Sequence, residues 1–356
     1  MRIPYTSIVL VLILAGAGCM TPAEKQKDAQ SGQADQSPVY EQSGNDLMNG
    51  VSKAVCYSGF RSGQHPDRGE GAVNPSYDEV VEDMRIITDS AGFHLIRVYD
   101  CGENSEMVLR VIQENKINCK VMLGIWLKAE LSNHETCEWL TEPIPEETLQ
   151  QNRIANLEEI DRGIELAGKY EDIVVSVNVG NEALVDWNDH KVDTDTIIAY
   201  VQKVKQSIEQ PVTVAENYKW WAEQGMALSK AVDFIAIHIY PVWEGKDIDE
   251  GLSYSIENVQ EVAAALPGVK MVISEAGWPS VASEFGERAS EEKQLQYYNE
   301  LMAWSEKMNI TTFFFEAFDE DWKGNPENMM GAEKHWGIYT IDRKPKKVMR
   351  QLHNMH

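Results

Sequence analysis

A regular alternation constrains this chain more than any other feature. From residue 50 onward, short apolar runs are separated by longer segments with helical spacing. Eight runs read as strands, at residues 54–60, 95–99, 120–127, 173–179, 211–218, 234–240, 270–275 and 311–318. Between them, residues 76–91 place Val80, Met84, Ile87 and Ala91 on one face, and 148–170, 194–209, 253–265 and 290–308 behave similarly. Repeated strand–helix alternation implies a parallel sheet whose crossovers are helices. Eight such units imply an α/β fold of the (β/α)8 TIM-barrel type, with residues 50–356 as one domain. A doubly wound sheet is the alternative, but it rarely runs to eight regular units.

Strand parity indicates which side chains face the barrel interior, because side chains alternate faces with period two. In the fourth run, Val175, Val177 and Val179 form an apolar stripe, while Ser176, Asn178, Gly180 and Glu182 form the other. In the sixth, Ile235, Ile237 and Ile239 alternate with Ala236, His238 and Tyr240; in the second, Ile96 and Val98 alternate with Arg97 and Tyr99. One stripe suits the surrounding helices. The other carries polar groups toward the strands' C-terminal ends, where catalytic residues of such barrels lie.

Two carboxylates stand out. Glu182 ends the fourth strand in Val179-Gly180-Asn181-Glu182, and Glu275 ends the seventh in Ile273-Ser274-Glu275-Ala276-Gly277-Trp278-Pro279. Glycosidic cleavage needs two carboxyl groups flanking the bond, one to protonate the leaving oxygen and one to attack or to activate water. Partial desolvation at a barrel mouth favours the protonated form of such an acid. A lone glutamate at either position would read as a surface charge; the pairing and the flanking residues give it meaning.

Those flanking residues carry a resemblance. Val55-Cys56-Tyr57, Ile96-Arg97-Val98-Tyr99-Asp100, the Asn181-Glu182 pair, Ser274-Glu275-Ala276-Gly277-Trp278-Pro279 and Phe315-Glu316-Ala317-Phe318-Asp319-Glu320 together resemble glycoside hydrolase family 17, from about residue 52 to 352. The resemblance implies a retaining glycosidase acting on β-1,3-glucan of the laminarin type, with Glu182 as acid/base and Glu275 as nucleophile. It further implies that Arg97 and Tyr240 hydrogen-bond Glu275, that Asn181 meets the sugar 2-hydroxyl, and that Glu320, Lys323 and Glu333 lie near the acid/base. The spacing to Glu333 is longer here than in the family pattern, and a plain loop salt bridge is the alternative for Lys323. His238 is read as an inner-barrel or site residue. Aromatic faces suit sugar C–H faces. Tyr57, Tyr99, Trp126, Trp243, Trp278, Phe318 and Trp322 are the expected sugar contacts, with Trp243, Trp278 and Trp322 favoured as platforms. Trp220 and Trp221 also fall near a strand end.

The same two glutamates would serve a β-1,3-glucan glucosyltransferase, in which an acceptor sugar replaces water. A rival of another class is a non-catalytic glucan-binding surface lipoprotein. No cofactor is expected. His134-Glu135 and His238 lack metal-ligand spacing, so no metal is expected either. The chain has 57 Asp and Glu against 32 Lys and Arg, a formal charge of −25. Phosphate backbones would repel it, which excludes nucleic acid as a partner.

The N-terminus reads as a targeting segment. Arg2 precedes an apolar run from Ile8 to Leu14, too short to span a bilayer, and small residues follow. Ala15-x-Ala17 fits an ordinary cleavage site, while Ala17-Gly18-Cys19 resembles a bacterial lipobox, with Gly16 where Leu is usual. The expectation is a signal peptide over 1–18, a lipidated Cys19, a polar linker over 19–49, and a monomer anchored in the bacterial cell envelope, at the outer membrane or in the periplasm. Of the remaining cysteines, Cys101 and Cys137 both follow strands, which permits a disulfide, and Cys56 reads as a buried thiol.

Overall fold

The computed structural model describes residues 42, 47–67, 69, 71–138 and 140–353. The expected signal peptide, Cys19 and most of the 19–49 linker lie outside the described residues. Eight parallel strands close into one barrel in sequence order: β1 (Lys53–Cys56), β2 (Leu95–Arg97), β3 (Lys120–Ile125), β4 (Val174–Asn181), β5 (Val212–Asn217), β6 (Ile235–Ile239), β7 (Met271–Ala276) and β8 (Thr312–Phe314). Pairing of Lys53 with Thr312 and Ala54 with Phe313 closes the ring.

Around it lie α1 (Tyr77–Arg85), α2 (Glu103–Asn115), α3 (Glu146–Lys169), α4 (Thr194–Lys205), α5 (Tyr218–Gln224), α6 (Ile248–Ala265), α7 (Glu291–Lys307) and α8 (Lys347–His353). Their starts follow from capping chemistry. Ser76 and Glu79 form a reciprocal capping box on α1, and Asp193 accepts from Asp195 N and Thr196 N at the start of α4. Asp247 caps α6 and starts it at Ile248, ahead of the 253 expected from periodicity. Helix α2 is absent from the sequence reading. Its N-cap is Gly102, which has no capping side chain, yet Val108, Leu109, Val111 and Ile112 are buried.

The folded domain reaches back beyond residue 50. Gln42 is buried; its side-chain amide donates to Met271 O (2.8 Å) and Asn309 O (3.0 Å) and accepts from Met271 N (2.6 Å). Leu47 and Met48 are buried beside it in sequence, and Ser176 Oγ donates to Met48 Sδ at 3.1 Å. The linker boundary at 49 is therefore too late. A glutamine looks like linker composition, but here it supplies both a donor and an acceptor to backbone groups at the foot of β7.

The disulfide that the sequence permits is not formed, and Cys56 is the buried thiol expected. Cys101 and Cys137 are free thiols, as are Cys56 and Cys119. Cys101 Sγ donates to Gly124 O (3.1 Å) and Cys137 Sγ to Trp187 O (3.2 Å), so each sulfur is committed to a different carbonyl. Cys56 lies inside the barrel, where burial first and then the Glu275 charge push its thiol up to about 12.

Candidate active site

Two departures from regular strand geometry build the site. Strict alternation would send Asn181 and Glu182 to opposite faces. The β4–β5 register shifts between Asn178 and Asn181, where Gly180 takes φ +87° and Glu182 itself φ +48°. An L-residue other than glycine is strained there, and the bulge lets both side chains turn toward the interior. A second register shift between β6 and β7 sets His238 opposite Glu275.

Glu275 is 6 % exposed. Its Oε1 accepts from Arg97 Nη1 (2.7 Å) and from the Tyr99 hydroxyl (2.9 Å), and its Oε2 accepts from the Tyr240 hydroxyl (2.6 Å). Burial alone would push this carboxyl up. His238, Arg97, Tyr240 and Tyr99 outweigh that effect and hold it below the ordinary glutamate value. Arg97 is fully buried and also binds Asn181 Oδ1 through Nη2 (2.5 Å) and Ser274 O through Nη1 (3.1 Å).

Glu182 is more open, with 21 % of its side chain exposed. His238 joins the two acids. Its Nδ1 lies 2.9 Å from Glu182 Oε1 and 3.6 Å from Glu275 Oε2, while its Nε2 faces Arg97 Nη1 at 3.2 Å. Arginine can only donate, so Nε2 accepts and the ring proton sits on Nδ1, aimed at the carboxylates. One nitrogen this close to both acids limits their separation: the nearest oxygens cannot lie farther apart than those two distances end to end. That ceiling is compatible with the about 5–5.5 Å between the carboxyl groups of retaining pairs. On the outer side, Asn188 Nδ2 donates to Glu182 O (3.1 Å) and approaches its Oε2 (3.5 Å).

A second acidic group lies on the β8 side. Lys323 Nζ sits between Glu316 Oε2 (2.6 Å) and Glu320 Oε2 (2.8 Å). Burial opposes its charge, but the two acids overcome that and raise its affinity for the proton. Glu320 Oε1 also accepts from Ser58 Oγ (2.6 Å) and Phe60 N (3.2 Å), which ties the β1 loop to the β8 loop. Glu333 joins this group despite its longer sequence spacing. Gly324 turns at φ +65°, and a Cβ there would meet the Glu333 Cβ at 3.0 Å. Burial raises the Glu333 carboxyl, opposed by Lys323 and reinforced by Glu275 and Glu182. The loop between them therefore folds back on itself and returns Glu333 to the field of both acids.

The aromatic expectations divide. Trp243 is 48 % exposed and stands edge-on to Phe285. Trp126 is half-buried, with its ring 4.6 Å from His190, which in turn donates to Asn181 O (2.8 Å). Trp322 is half-buried against Phe60. Trp278 is not a platform. It is fully buried, packs on Tyr297 and donates through Nε1 to Arg288 O at 2.8 Å. Trp220 and Trp221 are core residues of α5. Phe318 is buried between Tyr57 and Arg343, whose guanidinium lies 4.3 Å over its ring. Tyr57 is equally buried and donates to Asp83 Oδ2 (3.1 Å), within an ion cluster formed by Asp83, Arg61 and Arg343. Tyr99 spends its hydroxyl on Glu275. Trp278, Phe318 and Tyr57 were expected to touch sugar but are buried, whereas Tyr99 is half-buried beside Glu275 on the interior face; nearness to a motif locates a residue along the chain but not the face it takes.

Residues to which the sequence reading gave no role complete the site: Asn188, His190, Glu316, quoted only as part of the β8 motif, and Glu216. The last is a fully buried carboxyl on β5, and the available signal was a single acid inside the run Val212-Thr213-Val214-Ala215-Glu216. Among the described residues, no group of three His, Cys, Asp or Glu could hold a metal ion.

Residues 54–337 match the model of the BtgE/BtgC glycoside hydrolase domain. The chain is 28% identical over 273 residues to a glucan 1,3-beta-glucosidase of Arthroderma benhamiae, covering 70% of this chain and 78% of that one. It is 25% identical over 285 residues to a glucan 1,3-beta-glucosidase of Schizosaccharomyces pombe, covering 75% and 78%. An endo-laminarinase from Formosa superposes with a TM-score of 0.73 at 25% identity, over 85% of this chain and 87% of that one. A glycoside hydrolase family 17 beta-1,3-glucanosyltransferase from Rhizomucor miehei shares the fold, with a TM-score of 0.61 at 21% identity over 83% and 95%. With its barrel, its two strand-end glutamates and a match over most of its length, this chain belongs to the family of BtgE/BtgC glycoside hydrolase domains.

Proposed function

We propose that this glycoside hydrolase cleaves β-1,3-glucosidic bonds in laminarin-type β-glucan by double displacement, with Glu182 as acid/base and Glu275 as nucleophile. The observation that carries the reading is the unequal setting of two acids sharing one histidine. Glu275 is buried under three donors that favour its ionised form. Glu182 is open to solvent on one side and receives a single short contact from His238.

In the first step a Glu275 oxygen attacks the anomeric carbon. The bond to the leaving oxygen breaks as Glu182 gives that oxygen its proton, and a glycosyl ester forms on Glu275. In the second, Glu182, now a carboxylate, takes a proton from water; the resulting hydroxide equivalent attacks the anomeric carbon and expels Glu275. The configuration is retained. The separation limit set by His238 is compatible with this class. Asn181, held by Arg97, is placed to meet the 2-hydroxyl, and Trp243, Trp126 and Trp322 supply the available ring surface. The paired acids argue against a protein that only binds glucan.

A time course of laminari-oligosaccharide digestion, resolved by product size, tests this. Shorter products are expected. Products longer than the starting oligosaccharide would assign transfer to a second sugar in place of hydrolysis, and binding without any product would overturn the enzymatic reading. We further propose that the chain is exported as a monomer and held in the bacterial cell envelope by lipid on Cys19. The apolar run from Ile8 to Leu14, the small residues before Cys19 and the polar stretch after it support that placement.

A further inference from the structure

Directly behind the acid/base lies a third carboxyl that the double displacement does not use. Glu216, on β5, is completely buried. Its Oε1 accepts from Leu184 N at 2.7 Å, its carboxyl also draws on the amides of Ala183 and Asn217, and its Oε2 has no hydrogen-bond partner. Ala183 and Leu184 are the two residues that follow Glu182, and both are buried. The segment is an awkward one to hold. Glu182 sits at φ +48°, in the left-handed region, only two residues after Gly180 at φ +87°. A non-glycine residue there costs energy and persists only where its surroundings enforce it. Glu182 N is tied to Ala215 O (2.9 Å) on the same strand that carries Glu216. The turn is thus clamped to β5 on both sides of Glu182: by the Ala215 carbonyl before its side chain emerges, and by the Glu216 carboxyl after it.

We propose that Glu216 is a positioning residue for the acid/base: its carboxyl gathers the amides that follow Glu182 and so fixes the direction in which Glu182 presents its proton. Burial, and next the Glu182 charge, raise the Glu216 carboxyl well above the usual range, against the pull of the three amides. Glutamine keeps a carbonyl oxygen that can take the place of Oε1 as acceptor for Leu184 N. What the site requires is an acceptor oxygen at the right depth, not a charge.

The inference rests on the reading of Glu182 as acid/base, so the test uses a readout specific to proton donation. Two substrates with the same sugar are compared through kcat/KM, which reports the first chemical step. One is a laminari-oligosaccharide, whose leaving group needs a proton. The other is the 2,4-dinitrophenyl glycoside, whose leaving group does not. Glu216→Ala and Glu216→Asp, which remove or withdraw the acceptor, are expected to lower kcat/KM on the oligosaccharide by about 10- to 100-fold, within the range of general acid catalysis. The loss on the dinitrophenyl glycoside should be less than about threefold. Glu216→Gln, which keeps the acceptor, should stay within about threefold of wild type on both. If Glu216→Ala does not fold, the contrast between Asp and Gln decides. Equal losses on both substrates, or no loss in Glu216→Asp, would overturn the proposal. Glu182→Ala is run beside them. If it fails to discriminate between the substrates, the acid/base reading itself falls; if it discriminates and Glu216→Asp does not, only the role of Glu216 falls.

Discussion

Replacing Tyr240 by Phe removes one oxygen atom from the site and little else. The ring keeps its packing against Phe315 and Trp336, whose centroids lie 5.9 and 5.1 Å away. What is lost is a 2.6 Å hydrogen bond to Glu275 Oε2, the only short one that oxygen receives among the described residues, since His238 Nδ1 stands at 3.6 Å. A hydrogen bond to a charged group contributes about 1.5–3 kcal/mol. Because the tyrosine donates to the carboxylate, that loss falls on the ionised form of Glu275. The acidic limb of kcat/KM should therefore move to higher pH, and on that limb activity should fall by about ten- to a hundredfold relative to wild type. Tyr99→Phe should move the limb less, because Oε1 keeps the Arg97 contact at 2.7 Å. The same shift has a stability consequence. Glu275 is held below its unfolded value, so its contribution is fully present above the ordinary carboxyl range and is lost as pH falls through the lower native value. Tyr240→Phe moves that loss to higher pH. The assay is a pair of pH–rate profiles with thermal unfolding at each pH. An unmoved acidic limb in Tyr240→Phe, or a larger shift in Tyr99→Phe, would refute the reasoning.

Two of the three tryptophans favoured as platforms, Trp278 and Trp243, should now behave oppositely. Trp278→Ala opens a cavity in the core and should destabilise the fold by about 3–5 kcal/mol in denaturant unfolding. Trp243→Ala should leave stability within about 1.5 kcal/mol of wild type and raise KM for laminarin instead; the reverse pattern would restore Trp278 to the cleft. Cys19→Ser should shift the protein from the membrane fraction to the soluble fraction, and retention on membranes would exclude the lipid anchor.

Much of the site was legible because strands impose a rule. Period-two alternation on β2, β4 and β6 selects Arg97, Glu182 and His238, and those side chains do meet inside the barrel. Where the backbone departs from that period, the rule is silent. Asn181 lies on the wrong parity and enters only through the bulge at Gly180. Residues beyond strand ends were the least legible. Trp278 and Phe318 follow β7 and β8 as Trp243 follows β6, yet they are buried, Trp278 against Tyr297 and Phe318 against Tyr57 and Tyr339. Glu333 was named only through the resemblance, because its longer spacing gives no sign of the turn at Gly324 that passes close to it. Gln42 was hidden by composition, since a polar residue in a polar stretch gives no hint that backbone donors and acceptors await it.

The most direct measurement is covalent trapping. Incubation with a 2-deoxy-2-fluoro β-1,3-glucosyl donor slows the second displacement, and peptide mapping by mass spectrometry then locates the sugar. Double displacement through the Arg97-, Tyr99- and Tyr240-bound carboxylate predicts one glycosyl group, on Glu275, with the β-anomer as the first product from unmodified substrate. A glycosyl group on any other residue, or an α-anomer as the first product, would contradict it.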